Sequence, residues 1–395
     1  MKICITTGTR AEYGLLKPLI EKIKEDAYFT LQILVTGAHL SPEFGLTYKQ
    51  IESDGYMIDA KVEMLLSSDT PEGISKSIGL GVIGFSDALK RLQPDLLVIL
   101  GDRYEMLAMA ATAMIYKIPI AHIHGGEITE GAYDDCIRHA ITKMSALHFT
   151  STEAYRQRVI QLGEQPDRVF NVGAIGLDNF NSLTLLTKDE LEKELNIRLK
   201  KYNYLVGFHP ETLSEQSAEE QLTQLLKAIN EQNDSFFLFT KANADSDGRI
   251  INKMMERFVR ENSDRSALFA SLGTLKYLSM MKLATAVVGN SSSGILEAPS
   301  AFTATINIGN RQKGRIQANS IVNCPADTKE ICKAFKQIKD SEFREKVNQV
   351  VNPYGNGTAS KRIVQILKKI SPSELKVKSF YDFSHETLRQ ISTQQ

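Results

Sequence analysis

Short apolar runs alternate with amphipathic stretches of helical period from the first residues of this chain onward. Residues 3–7, 31–35, 96–100 (LLVIL), 118–123, 147–150 and 169–172 read as strands. Between them, residues 12–25, 74–92, 104–116, 134–145 and 153–161 read as helices; the first carries Leu15, Leu16, Leu19, Ile20 and Ile23 on one face. Strand and helix at this spacing admit few folds, and a parallel sheet wound on both faces by helices is the expectation. The pattern pauses over 173–186, which holds Gly173, Gly176, Asn179 and Asn181, and reads as a crossing segment. It resumes with strands at 204–208, 236–240, 267–270, 286–288 and 304–308, and helices near 218–230, 250–261, 275–283, 294–298, 329–338 and 360–370. A chain of 395 residues has room for two such domains. The expected class is therefore α/β, with two parallel-sheet domains facing a central cleft. The first spans 1–173 and is joined by the tail 372–395; the second spans 174–371.

Charge excludes some partners. There are 47 basic and 47 acidic residues, so no net field draws the chain to nucleic acid or to an anionic membrane. An anionic small molecule must instead meet local cations. No apolar run approaches a membrane span, and the chain starts directly as a strand with nothing resembling a signal peptide. Cys4, Cys136, Cys324 and Cys332 are scattered, without a Cys-x-x-Cys pair, so a reducing, cytoplasmic setting and no zinc framework are expected.

Candidate chemistry sits where strands end. Residues 96–100 deliver Asp102 and Arg103; residues 118–123 deliver His124 and Glu127 in the run AHIHGGE. Neighbouring parallel strands put their carboxyl ends at one sheet edge, where ligands bind. Asp134 and Asp135 open a helix that also carries Arg138 and His139. His122 and His124 flank Ile123 and are expected on one face of a strand. Acid–base work suits them better than a metal, for want of a metal-ligand motif. Gly8-Thr9-Arg10 follows the first strand and opens a helix, a place for an anion. Gly289-Asn290-Ser291-Ser292-Ser293-Gly294 repeats that arrangement in the second half, with Glu297 one turn on and suited to a ribose diol. His209, Asn243 and Arg311 follow other strands of that half, and Lys313 and Arg315 lie in the same loop as Arg311. Taken singly, each of these has an ordinary reading as a cap, a turn or a solvated basic loop.

Taken together, the segments resemble the hydrolysing UDP-N-acetylglucosamine 2-epimerases. The resemblance rests on GTRAEYGLLKPL (8–19), LGDRYEMLA (100–108), HIHGGE (122–127), YDDCIRHAITKMS (133–145), FHPETLS (208–214), KANAD (241–245), GNSSSGILEAPS (289–300) and INIGNRQKGR (306–315), in consistent order. It implies two Rossmann-like domains in a glycosyltransferase-B-like arrangement, with UDP held mainly by the second. It also implies a nucleotide-sugar substrate and no metal or nicotinamide cofactor. The implied reaction turns UDP-N-acetylglucosamine and water into N-acetylmannosamine and UDP: a base removes the C2 proton, UDP leaves C1, and water adds to a glycal. The resemblance makes Asp102, Glu127, Asp134 and Asp135 the acid–base candidates, with His139 nearby. It assigns Arg10, Arg103, His209, Asn243, Ser291, Ser292, Ser293, Gly294, Glu297 and Arg311 to the nucleotide side. His124 departs from the non-hydrolysing relatives, which carry Glu there. It either takes the proton itself or orients a carboxylate.

Three alternatives differ in class. A sibling group acts on UDP- or GDP-linked 2,4-diacetamido-2,4,6-trideoxyglucose (N,N'-diacetylbacillosamine) in the legionaminic acid pathway. A glycosyltransferase of the same architecture would need an acceptor groove. A silent nucleotide-sugar sensor would have no use for clustered ionisable groups. A symmetric homodimer or homotetramer is the expected assembly.

Overall fold

The computed structural model describes residues 1–66, 70–129, 133–211, 216–242 and 248–383. The first half contains β1 (Lys2–Thr7), α1 (Arg10–Glu25), β2 (Thr30–Thr36), α2 (Tyr48–Ser53), β3 (Ala60–Val62), α3 (Pro71–Leu92) and β4 (Leu96–Leu100). It continues through α4 (Tyr104–Ile115), β5 (Ile120–Ile123), α5 (Asp134–Met144), β6 (Leu147–Thr150), α6 (Glu153–Gln161) and β7 (Val169–Asn171). Its seven-stranded sheet has the order β3-β2-β1-β4-β5-β6-β7, with parallel neighbours throughout. All five residues of β4 are buried, as a strand covered by helices on both faces requires.

A short 3-10 turn (Ile175–Leu177) and α7 (Asp178–Ser182) cross to the second half. There follow α8 (Lys188–Leu195), β8 (Tyr202–Gly207), α9 (Ala218–Asn230), β9 (Ser235–Thr240), α10 (Gly248–Glu261), β10 (Ser266–Phe269), α11 (Gly273–Leu283) and β11 (Ala286–Gly289). Then come α12 (Ser293–Leu296), β12 (Ala304–Ile308), β13 (Ile321–Cys324), α13 (Thr328–Gln337), α14 (Ser341–Asn348) and α15 (Ala359–Leu367). The six-stranded sheet has the order β10-β9-β8-β11-β12-β13, again parallel. The α/β class with two parallel sheets is therefore observed. The edge strands β3 and β13 were not anticipated; they are short and only partly apolar.

Two details join the halves. Pro18 lies inside α1 and cannot donate to the carbonyl of Gly14. That carbonyl instead accepts from Asn179 Nδ2 of α7 at 3.0 Å. Gly14 also faces α11, where an added Cβ would lie 2.6 Å from Thr274 Oγ1, so a bare backbone is needed there. The second detail is the return of the chain. Ile363 and Leu367 of α15 are buried in the first domain's core with Leu16, Ile20 and Ile23 of α1, so the return begins before residue 372. Lys378 and Tyr381 of the tail then bind the edge near β6 and β7: Lys378 reaches Glu164, and the Tyr381 amide donates to the Gly163 carbonyl.

Candidate active site

The first sheet reverses its order of winding between β1 and β4, the second between β8 and β11. Such switch points leave a crevice outside the carboxyl ends of the strands. Groups from both sides line one cavity of about 210 Å³. Asp102, Arg103, His124, Glu127 and Arg138 come from the first domain, Ser292, Glu297 and Arg315 from the second, and Ala174, Gly176 and Leu177 from the crossing segment.

Asp102 and Glu127 are both carboxylates in this wall, with different surroundings. Asp102 keeps a quarter of its side chain exposed and is paired with Arg138, whose side chain is 2% exposed. Burial would raise its pKa, but Arg138 and Arg315 hold it below the usual carboxylate value. Glu127 is buried. Its Oε1 accepts from Ser151 Oγ at 2.7 Å and lies 3.2 Å from His124 Nδ1. Its Oε2 lies 3.1 Å from Nη1 of Arg315. Burial pushes Glu127 up, yet Arg315, His124 and Arg138 together keep it low.

Arg138 organises this wall. It donates to the Glu127 carbonyl at 2.8 Å, to Asp135 Oδ1 at 3.0 Å, to Thr129 Oγ1 at 2.8 Å and to Asp102. Asp135 also accepts from the Thr129 amide at 2.8 Å and lies 3.5 Å from His139 Nε2. Asp135 thus joins the cluster through Arg138. Asp134 and His139 share its helix but stand outside the cavity lining. Burial lowers the His139 pKa against the pull of Asp135.

The two histidines of AHIHGGE do not act as a pair. His122 ends in the sheet, with Nε2 2.7 Å from the Gly101 carbonyl and Nδ1 3.1 Å from Thr142 Oγ1. Burial brings its pKa down to about 3, that of a neutral core histidine. His124 leaves the strand with φ at 67°, so the period-two expectation of a shared face fails. Its ring turns to Glu127 and to the crossing segment, where the Ile175 amide donates to Nε2 at 3.2 Å.

On the second sheet, Asn290 ties two strand ends together. Its Oδ1 accepts from the His209 amide and its Nδ2 donates to the His209 carbonyl, each at 2.7 Å. The Asn290 carbonyl accepts from Arg311 Nη1 at 3.1 Å and from Gln312. Gly289 (φ 127°) admits no side chain, because a Cβ would collide with the Gly207 carbonyl. Ser291 and Ser293 share a hydroxyl contact at 3.1 Å, and Ser293 also meets Tyr277. The helix expected over 294–298 is a four-residue turn, Ser293–Leu296, that includes Gly294; its dipole is that of a single turn. His209, Ser291 and Arg311 stand beyond the cavity lining, at their strand ends. Asn243 lies outside the described residues. Arg10, at the start of α1, reaches the Ala270 carbonyl of the second domain at 3.5 Å. Burial alone raises the Glu297 pKa to about 7.

Sequence reasoning placed Arg138 only as a helix cation and Arg315 only in a basic loop. Arg315 does not stay in that loop; it crosses to Glu127 and Thr129 of the first domain. Ser151, Glu12 and Ile175 carried no signal of their own. Glu12 closes a capping box with Thr9 and accepts from the Gly8 and Thr9 amides at 2.7 and 3.1 Å. Burial raises its pKa to about 7. Among the described residues no group of His, Cys, Asp or Glu is arranged to hold a metal, and no helix is long and apolar enough to cross a membrane.

Two parallel-sheet α/β domains with ionisable strand ends around one shared cavity define the class of fold, and comparison with known proteins then gives the family. The model of the UDP-N-acetylglucosamine 2-epimerase family matches residues 21–368. The chain belongs to that family and is an epimerase acting on a nucleotide sugar. It is 44% identical over 382 residues to a GDP/UDP-N,N'-diacetylbacillosamine 2-epimerase (hydrolyzing) of Campylobacter jejuni, covering 96% of this chain and 99% of that one. It is 41% identical to polysialic acid biosynthesis protein P7 of Escherichia coli, covering 96% and 97%. A crystal structure of the UDP-GlcNAc 2-epimerase from Neisseria meningitidis bound to UDP-GlcNAc superposes with a TM-score of 0.80 at 19% identity, over 94% of this chain and all of that one. That likeness bears out the glycosyltransferase-B-like fold.

Proposed function

We propose that the protein is a hydrolysing 2-epimerase of a nucleotide-linked 2,4-diacetamido-2,4,6-trideoxyglucose, releasing the free 2-epimer and the nucleoside diphosphate. The observation that carries the reaction type is the cavity in which Asp102 and Arg138 of one domain meet Arg315 and Glu297 of the other. The full-length 44% identity to the Campylobacter enzyme supports the diacetamido sugar over UDP-N-acetylglucosamine. The cavity wall also carries Ala11, Leu15, Leu100, Ala174, Leu177 and Leu296, apolar surface that suits a 6-methyl group better than a hydroxymethyl. The similarity to protein P7 keeps UDP-N-acetylglucosamine as the second reading.

In this reading Asp102 takes the C2 proton. It is ionised across the working pH range and faces the cavity. The C1–O bond breaks as the C1–C2 double bond forms, and the diphosphate carries the electron pair away. Arg103 and Arg315 stabilise its charge as it develops. Water then adds across the double bond, its hydroxyl to C1 and its proton to C2 from the face opposite Asp102, and Asp102 releases the abstracted proton to solvent. Arg10, His209, Ser291 to Gly294 and Arg311 serve the nucleotide, and Glu297 takes the ribose diol. Glu127 and Asp135 hold the two arginines, with Asp134 and His139 behind them on α5. Every step uses side chains and water, so turnover is expected to survive excess EDTA.

The test is proton NMR in heavy water with three substrates: the UDP- and GDP-linked diacetamido sugars and UDP-N-acetylglucosamine. The expected result is free diacetamido 2-epimer deuterated at C2, with UDP-N-acetylglucosamine poorer by about 100-fold in kcat/KM. Faster release of N-acetylmannosamine would return the substrate to the second reading. Intact nucleotide sugar in all three tubes would reject the reaction.

A further inference from the structure

His124 sits between two groups that fix the position of its proton. The Ile175 amide can only donate, and it points at Nε2 from 3.2 Å. Nε2 must therefore present its lone pair. The Glu127 carboxylate only accepts, and its Oε1 lies 3.2 Å from Nδ1. A neutral ring whose Nε2 accepts carries its hydrogen on Nδ1, the nitrogen beside that carboxylate. Both ring nitrogens are then used, and neither offers a lone pair to a substrate proton. A doubly protonated ring would set Nε2–H against the Ile175 N–H, two donors face to face. The charged groups that face the ring are Glu127 after β5, Asp102 after β4, Arg138 on α5 and Arg315 after β12; burial outweighs the carboxylates and keeps the ring neutral. The backbone agrees: His124 adopts a left-handed φ of 67°, which aims the ring away from the strand and at the crossing segment.

We infer that His124 is a positioning residue, held as its Nδ1–H tautomer by the Ile175 amide, and that it acts on the reaction only through Glu127. Glu127 in turn holds Arg315, the cation that crosses from the second domain. The crossing segment, His124, Glu127 and Arg315 thus form one line of contacts from the interdomain connection to the cavity. The ring fixes which oxygen of Glu127 is free for Arg315: Oε1 is taken by Ser151 and His124, which leaves Oε2. The two nitrogens and their partners fix the tautomer whatever the reaction; the kinetic part rests on the hydrolysing-epimerase reading above.

The experiment has two arms. Selective 15N-histidine labelling of the whole protein gives ring spectra for its seven histidines, and the ring missing from H124N is His124. Expected is a neutral ring protonated at Nδ1 at pH 7–8; an Nε2–H tautomer or an imidazolium overturns the inference without any substrate. The kinetic arm compares H124A, H124N and E127Q. Asn tolerates left-handed backbone, and its Nδ2 can occupy the place of Nδ1 as donor to Glu127. H124N is therefore expected to recover most of the kcat lost in H124A, and to keep the wild-type acid limb of the kcat–pH profile. A proton-accepting His124 would instead cost H124N about 10²- to 10⁴-fold in kcat and remove that limb. The double variant H124A/E127Q should be no slower than E127Q alone; additive losses overturn the statement that His124 acts only through Glu127. Absence of turnover in the wild type would reject the function proposed above while leaving the tautomer result to stand.

Discussion

Asp102 and Glu127 are both acids in one wall, separated in role by what touches them. Glu127 accepts from Ser151 and is held by His124 and Arg315, while Asp102 shares Arg138 and keeps one side toward the cavity. Asp102→Asn keeps an acceptor for Arg138 but cannot take a proton. It is expected to lower kcat by at least about 10³-fold. UDP binding, followed by calorimetry, should stay within a few-fold of wild type. Glu297 titrates differently. Its folded pKa of about 7 lies above the usual carboxylate value because burial penalises the charged form. The folded state therefore binds more protons than the unfolded state between pH 4.5 and 7, and stability falls as pH rises through that window. Glu297→Gln removes that penalty. Its melting temperature should exceed wild type by more at pH 8 than at pH 5, measured by calorimetry without nucleotide. An equal gap at both pH values would contradict the raised pKa.

At the scale of elements, α1 shows a local sequence defect answered from the crossing segment. Pro18 removes the donor for the Gly14 carbonyl, and Asn179 of α7 supplies one. Asn179→Ala is expected to cost about 1–2 kcal/mol, because the Gly14 carbonyl loses its partner. In a Pro18→Ala background the residue at 18 regains an amide hydrogen for the same carbonyl, so the cost should shrink. Urea unfolding of the four combinations measures this coupling; equal costs in both backgrounds would break the link. The strands and long helices were legible because period alone marks them: LLVIL of β4 and the apolar face of α1 need no tertiary information. The edge strands β3 and β13 were not legible. They are three and four residues long, too short to show a period, and each exposes a polar residue, Lys61 or Asn323. The helical run at 360–370 was visible and is observed as Ala359–Leu367, yet its place in the first domain's core was not visible. An apolar face shows that a helix must be covered but not by what.

The whole molecule is closed by its tail. Lys378 donates to the Lys143 and Ser145 carbonyls and lies 2.7 Å from Glu164, which also meets Lys143 and His148. Burial would raise the Glu164 pKa, but its hydrogen bond to His148 and the two lysines bring it down to about 2. A depressed carboxylate gives stability that is present above its unfolded pKa and lost as pH falls toward its folded one. Acid unfolding between pH 4.5 and 2 should therefore be shallower in Glu164→Gln than in wild type. Lys378→Met should lower stability at pH 7 by about 1–3 kcal/mol, since a buried carboxylate loses one of its cations. Near-UV circular dichroism across the pH range and urea unfolding at pH 7 read the two outcomes.

The sequence by itself determined most of the elements and the strand ends that carry chemistry. Strand period, helix caps and glycine turns are local properties, and Asp102, His124, Glu127, Ser292 and Glu297 all lie within a few residues of them. Partnership was decided only in three dimensions. Arg138 and Arg315 are 177 positions apart. They become the two cations of one carboxylate cluster because two sheets face each other across a crossing segment. The role of His124 follows the same rule. Its residue type permitted either proton transfer or orientation, and the choice fell to the amide of Ile175, 51 residues along the chain. A hydrogen bond's direction depends on which groups meet, and only the folded chain brings these groups together.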